Sequence, residues 1–102
     1  MISYKDIEKG DIEKVKQVIN KDNVNKPCID GNHTPLFNAC VYSQLEIVKY
    51  LISIGANIHD KNNYGDTSLI EASMNGYTEI KDFLQLAMRF KWLVINILRM
   101  AI

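Results

Sequence analysis

Apolar positions in this chain form short helical stripes that restart at a constant interval. A stripe with three- and four-residue spacing follows each of Glu13, Glu46 and Glu79, and successive members of this set stand 33 residues apart. Such spacing predicts amphipathic helices that bury one side. A repeat of this length predicts a stacked solenoid, because no unit can bury its apolar face without a neighbour. Folds of this kind usually bind other proteins.

The middle unit predicts a short inner helix. Thr34 stands directly before Pro35, which is the order expected when a helix N-cap is followed by proline at the first helical position. An inner helix is therefore expected from about residue 35 to residue 42. The third unit repeats this opening, with Ser68 in place of the proline.

A second, outer helix is predicted directly after the inner one. Ser43 stands three residues before Glu46, the spacing of a capping box, in which two side chains satisfy the free amides at the start of a helix. The outer helix is expected over about residues 44 to 53. Gly55 follows this helix and is expected to adopt the left-handed backbone conformation that ends it. A finger-like loop is expected to begin there.

These units resemble the ankyrin repeat over roughly residues 4 to 86, and the first unit is abbreviated. The most specific matches are Thr34-Pro35-Leu36, Ala39, Glu46-Ile47-Val48, Leu51-Ile52 and Gly55-Ala56-Asn57-Ile58. The resemblance implies an all-α solenoid of stacked helix-turn-helix units with short finger loops. The residues of the tail add the expectation of an extended C-terminal helix. One domain is expected, with a capping repeat over about 1–29, repeats over 30–62 and 63–88, and an apolar extension over 89–102.

Two departures from the family pattern bear on the expected shape. Phe37 and Ile70 occupy the slot of the family's histidine, so the threonine to histidine hydrogen bond of the family is not expected. The first finger also carries one residue more than the second, since residues 31–34 correspond to residues 65–67. The two fingers are therefore expected to differ in shape.

The chain after Leu84 does not open a fourth unit. It contains no proline or glycine from Tyr77 onward, which allows the third outer helix to continue past its normal end. Apolar residues recur there at helical spacing, at Leu86, Phe90, Leu93, Ile97 and Met100.

Three interpretations of this tail are open. A C-terminal cap over the third repeat is favoured, because the ends of a solenoid need covering. A face for a partner or for self-association ranks second, since a wide apolar patch is rarely left in water. Contact with a membrane ranks last, because a spanning helix needs about 20 apolar residues and Arg89, Lys91, Asn96 and Arg99 interrupt this run.

Composition narrows the classes of partner and compartment. Twelve basic residues balance twelve acidic ones, so there is no overall attraction toward nucleic acid or anionic lipid, and nucleic acid is not an expected partner. Cys28 and Cys40 are the only cysteines, and they lack C-x-x-C spacing. Residues 1–9 show no apolar signal-peptide core, so an intracellular, cytoplasmic and reduced setting is expected.

The sequence gives little support for catalysis. His33 and His59 are isolated, without other ligands at metal-binding spacing, and are interpreted as structural or exposed. Cys28 would be a nucleophile only beside a base, whereas Cys40 falls in a slot for a small buried residue. Glycine-rich phosphate-binding motifs are also missing from the sequence. We therefore expect no enzymatic activity, no cofactor and no bound metal.

The resemblance implies that finger loops and inner helices line a concave face, with the outer helices at the back. Positions matching the family's variable, outward-facing sites are Ile29, Asn32 and His33 on the first finger, Asn63, Tyr64 and Asp66 on the second, and Val41, Tyr42, Met74 and Asn75 at the ends of the inner helices. We expect a non-enzymatic module that binds an unidentified partner protein through this concave face. The alternative is an oligomeric or membrane-surface-associated structural element that acts through the hydrophobic C-terminal helix.

Overall fold

The computed structural model describes residues 3–29 and 33–101. Within these ranges the chain forms seven helices, namely α1 (Tyr4–Glu8), α2 (Ile12–Val18), α3 (Pro35–Val41), α4 (Leu45–Ser53), α5 (Ser68–Met74), α6 (Thr78–Arg89) and α7 (Lys91–Ala101). Extended pairing in the described residues is limited to one antiparallel bridge between Lys61 and Thr67. The predicted all-α class is confirmed.

Three helix pairs stack side by side. α1 packs against α2, α3 against α4 and α5 against α6. The inner helices α1, α3 and α5 contact one another in chain order, and the outer helices α2, α4 and α6 do the same. The predicted solenoid of helix-turn-helix units is therefore confirmed.

A single apolar cluster runs through all three pairs. Ile7 in the first pair, Leu51 in the second and Leu84 in the third are fully buried members of it. The small residues Ala39 in α3 and Ala72 in α5 are also fully buried, and these two helices contact each other. Each pair thus completes its core with its neighbours, as a solenoid requires.

Threonine side chains begin the second and third inner helices. The Oγ1 atom of Thr34 accepts a hydrogen bond from the amide of Phe37 at 3.3 Å, and Pro35 follows in the first turn. Thr67 caps α5 in the same way, accepting from the amide of Ile70 at 3.3 Å. The N-cap predicted at Thr34 is therefore present, and the substitution of proline by Ser68 leaves the equivalent helix intact.

The capping box predicted at Ser43 is wrong. Gln44 is the N-cap of α4 and makes no side-chain cap, while Ser43 has φ 56°. The positions 33 residues before and after Ser43 are Gly10 and Gly76, with φ 75° and 71°. The tight turn between inner and outer helix requires a left-handed residue at this point, and that backbone requirement outweighs the capping preference of serine.

Replacing Ser43 with glycine is expected to raise the free energy of unfolding by about 0.5–1 kcal/mol, because glycine adopts φ > 0 without the steric penalty of a Cβ atom. Urea unfolding followed by circular dichroism measures the change. Ser43→Ala is the control, since alanine removes the hydroxyl and keeps the strain. An equal gain in both variants would show that the hydroxyl, and not the backbone, is responsible.

The third outer helix does not continue into the tail. α6 ends at Arg89, Phe90 leaves helical geometry with φ −130° and ψ 47°, and α7 begins at Lys91. α7 then folds back and packs against α4 and α6, which buries Val94 in the common core. If α6 continued straight through Phe90, this valine would be exposed to water. Tertiary packing therefore accounts for the break in the helix, although the sequence has neither glycine nor proline there. Within the described residues, no helix combines the length and apolar character needed to cross a membrane.

α7 covers the outer helices and leaves the end of the third repeat open. An open cleft of about 630 Å³ remains there, lined by Leu69, Asp82, Gln85, Leu86, Met88, Arg89 and Phe90. None of these residues belongs to α7. The tail therefore packs against the outer helices at the back of the solenoid. It does not form the end cap that its sequence favoured.

Candidate functional site

The two finger loops close with the same type of backbone hydrogen bond at different lengths. In the first finger the amide of Cys28 donates to the carbonyl of His33 at 3.0 Å, and in the second the amide of Asn62 donates to the carbonyl of Asp66 at 2.9 Å. The closing pair is thus five residues apart in the first finger and four apart in the second. This agrees with the extra residue seen in the sequence.

The second finger is fixed from inside by Asn62. Its Oδ1 atom accepts hydrogen bonds from the amides of Tyr64 and Asp66, both at 2.9 Å, and its carbonyl accepts from the amide of Gly65 at 3.0 Å. The Tyr64 side chain is left 88% exposed at the tip, and Asn63 beside it is also exposed. A large aromatic ring is therefore presented on a loop whose backbone is already ordered.

The C-terminal end of α3 is tied to the neighbouring units. The ring of Tyr42 stacks on the ring of Tyr4 in the first unit, with centroids 6.2 Å apart and planes at 11°. The hydroxyl of Tyr77 donates to the carbonyl of Val41 at 3.3 Å. Val41 and Tyr42 are each half-buried, so these two candidate residues contribute to stacking between the units.

The C-terminal end of α5 is more open. Met74 is 72% exposed. The amide group of Asn75 donates to the carbonyl of Glu71 at 2.9 Å and to its carboxylate at 3.0 Å. Because α5 has seven residues and rises about 1.5 Å per residue, Tyr64 and Met74 stand at opposite ends of this part of the face. A partner that contacts both must extend along α5.

His33 belongs to a cleft between the two fingers. Its ring stacks on that of Phe37, with centroids 4.5 Å apart and planes at 14°, and its Nδ1 atom is buried without a hydrogen-bond partner among the described residues. The cleft has a volume of about 240 Å³ and is lined by Asn25, Pro27, His33, Thr34, Phe37, Asp60, Lys61 and Asn62. The cleft thus combines the apolar ring of Phe37 and the polar imidazole of His33 with charged and amide side chains.

The ten candidate residues differ in how available they are. The exposed ones are Ile29, Asn63, Tyr64, Met74 and Asn75, and the half-buried ones are His33, Val41, Tyr42 and Asp66. Asn32 lies outside the described residues. Among the nine candidates that the structure describes, His33 alone lines the cleft between the fingers.

Sequence reasoning missed the two charged residues in this cleft, Asp60 and Lys61. It also missed Asn25, whose side chain donates to the carbonyl of Gly55 at 3.2 Å and accepts from the amide of Asn57 at 2.7 Å. This asparagine joins the loop before the first finger to the loop before the second. The sequence contains one indication of this role for Asn25, because asparagine recurs 32 residues later at position 57.

The two cysteines are both buried and form no disulfide bond with each other. The sulfur of Cys28 accepts a hydrogen bond from the amide group of Asn38 at 3.3 Å. Burial raises the pKa of the Cys40 thiol to about 12, and a hydrogen bond with Ser68 opposes this only in part. Cys40 is therefore protonated at neutral pH and packs as a small apolar residue.

The comparisons with known proteins agree with this geometry. A family model described as ankyrin repeats in three copies matches residues 4–89. The chain belongs to the ankyrin repeat family. The predicted family and the predicted class of protein-interaction repeat are therefore confirmed.

Individual relatives share parts of this ankyrin repeat chain. Human protein phosphatase 1 regulatory subunit 27 is 34% identical over 79 residues, which is 76% of this chain and 51% of that protein. Mouse 2-5A-dependent ribonuclease is 35% identical over 71 residues, or 69% of this chain and 10% of that enzyme. The chain thus spans from a tenth to about half of the length of these relatives.

A solved structure has the same fold. It is that of Bd0816, a predatory endopeptidase from Bdellovibrio bacteriovorus, in complex with the immunity protein Bd3460. One chain of it superposes with a TM-score of 0.71 and 36% identity, and the match covers 82% of the present chain and 44% of that one. The similarity shows that the two chains share one fold.

Proposed function

We propose that this ankyrin repeat chain is a non-enzymatic interaction module that binds a partner protein through the concave face of finger loops and inner-helix ends. The observation that carries the proposal is Tyr64, which is almost fully exposed on a finger whose backbone is held by Asn62. A large ring on an ordered loop loses little conformational entropy on binding, and tyrosine is common at the energetic centres of interfaces. Met74 adds an adaptable apolar contact further along the face.

Similar proteins support an interaction role of this kind. One is a regulatory subunit of a phosphatase, and another is part of an endopeptidase complex with an immunity protein. We propose an intracellular location for the module, where Cys28 and Cys40 remain reduced. The cleft beside His33 is proposed as a subsite for a polar side chain of the partner, because Asp60 and Lys61 supply both signs of charge there.

The test is capture of partners from cytosol, followed by titration of the captured protein against two variants. We expect the double variant Tyr64→Ala, Met74→Ala to weaken binding at least tenfold, since truncating an anchor residue commonly costs about 2 kcal/mol of binding free energy. The matched control is Trp92→Ala, Met100→Ala, which removes one aromatic ring and one methionine of similar exposure from α7. Equal affinity of the Tyr64 and Met74 variant and the unaltered chain would refute the concave face as the binding site.

A further inference from the structure

α7 has two apolar sides, and only one of them is covered. Val94 is buried in the core, and Ile95 and Leu98 pack against it. On the other side Trp92 is 79% and Met100 86% exposed, and Leu93 and Ile97 are about half exposed. A surface helix of a globular protein normally presents polar residues to solvent. We call the side formed by Trp92, Leu93, Ile97 and Met100 the outer face of α7.

The charged side chains of the tail itself are all basic. Residues 83–102 contain three basic side chains, Arg89, Lys91 and Arg99, and no acidic one, whereas residues 1–82 contain nine basic and twelve acidic side chains. The tail is therefore basic, although the total charge of the chain is neutral. Arg99 follows Trp92 by seven residues, so both lie on the same side of the helix.

A basic cleft lies beside the helix. It has a volume of about 290 Å³ and is lined by Lys21, Tyr50, Ser53, Ile54 and Arg99. The ammonium group of Lys16 stands 6.0 Å from the centre of the Tyr50 ring. The one ion pair among the described residues joins Lys49 and Glu46, so none of these three cations is neutralised by an ion pair there. Two cationic side chains, Lys21 and Arg99, thus line an apolar cleft that adjoins an apolar face.

We propose that the outer face of α7, with the Lys21 and Arg99 cleft, docks on the surface of a membrane that contains anionic phospholipids. The helix lies flat, its apolar side chains enter the headgroup and acyl boundary, and Lys21 and Arg99 contact lipid phosphates. Trp92 suits this depth, because indole has an apolar body and a polar N–H group. The side-chain amide of Asn96 donates back to the backbone carbonyl of Trp92 at 2.9 Å, which reduces the need of this side chain for water within the face.

A second copy of the chain fits this face less well. At about 200 Å² for a fully exposed large side chain, the four residues offer roughly 550 Å², whereas a standard interface buries about 800 Å² on each partner. Pairing two copies through α7 would also bring two sets of basic side chains together. A bilayer needs no complementary protein surface and supplies the opposite charge.

The inference does not depend on the concave face, and vesicle binding tests it directly. The probes are vesicles of phosphatidylcholine alone and vesicles of phosphatidylcholine and phosphatidylglycerol in equal parts. We expect the full chain to sediment with the anionic vesicles and not with the neutral ones, and added salt to weaken the binding. Trp92 is the only tryptophan, so its emission reports burial by a shift to the blue.

Two pairs of substitutions separate the apolar and charged contributions. Lys21→Gln, Arg99→Gln is expected to weaken anionic vesicle binding roughly thirtyfold, at about 1 kcal/mol per basic side chain. Trp92→Ala, Met100→Ala is expected to abolish sedimentation with vesicles. The control Tyr64→Ala, Met74→Ala should bind vesicles as the unaltered chain does, which keeps this test distinct from that of the concave face.

Three results would overturn the inference. The first is failure to bind anionic vesicles, and the second is equal binding to neutral ones. The third is self-association in sedimentation velocity that the Trp92 and Met100 variant abolishes, because a second copy would then occupy the outer face. The altered residues are exposed or line an open cleft, so circular dichroism is expected to show unchanged helix content.

Discussion

Replacing Val94 with aspartate will lower the free energy of unfolding by about 3–5 kcal/mol, because a buried carboxylate has neither water nor a partner at this position. Val94 is 6% exposed and belongs to the core cluster that α7 shares with the outer helices. Domains of this size are stable by about 5–15 kcal/mol, so the change removes a large part of the total. Urea unfolding followed by circular dichroism measures it.

Ile97 provides the matched control three residues later on α7. It is about half exposed on the outer face, so Ile97→Asp is expected to change the stability by less than about 0.5 kcal/mol. Both variants introduce the same carboxylate into the same helix and differ in the side of the helix that carries it. Similar stability in the two variants would mean that α7 is not part of the folded core.

The comparison bears on both proposed functions. If α7 is detached in the Val94 variant, the outer face loses its fixed position beside Lys21 and the basic cleft. Ile97→Asp leaves the fold in place and puts a negative charge on the outer face, so it should weaken binding to anionic vesicles without altering the concave face. Stability and membrane docking are thereby assigned to opposite sides of one helix.

The repeated part of the fold was predictable from the sequence because its signals are local. Thr34 and Pro35 mark the start of an inner helix through capping and a fixed φ angle, and both act as expected. Apolar spacing gives the buried sides of the outer helices, and Leu51 is buried as that spacing requires. Each of these signals falls within one helix turn.

Features set by packing were not predictable in the same way. Ser43 has the side chain of an N-cap, yet the backbone between α3 and α4 requires a left-handed residue there. The helix break at Phe90 is not marked by glycine or proline in the sequence. It follows from the burial of Val94 against outer helices that are distant in sequence. Local propensity yields to tertiary packing at both positions.

The candidate sites show the same limit. The exposure of Tyr64 follows from its place at the tip of a finger, and sequence reasoning selected it. The cleft between Lys21 and Arg99 joins residues 78 positions apart, and no local pattern connects them. Overall composition also concealed the basic tail, since the acidic excess of residues 1–82 balances it.

High pH is expected to destabilise this protein through Cys40. Burial raises the pKa of its thiol from 9.0 to about 12, so the unfolded chain releases this proton at a lower pH than the folded one. The contribution of the thiol to stability is therefore fully present below about pH 9 and is lost as the pH rises toward 12. A shift of this size corresponds to up to about 4 kcal/mol at the upper end.

Cys40→Ala isolates this effect from the other groups that titrate at high pH. Burial also raises the pKa of Tyr50, and this tyrosine is common to both proteins. Alanine is the usual residue of the slot in the family pattern, so the variant should fold at neutral pH. Urea unfolding between pH 7 and pH 10.5 should show the stability of the unaltered chain falling by about 2 kcal/mol more than that of the variant, since each pH unit above 9 contributes about 1.4 kcal/mol. Parallel curves would mean that the thiol titrates equally in the folded and unfolded chains, and that the pocket around Cys40 admits water.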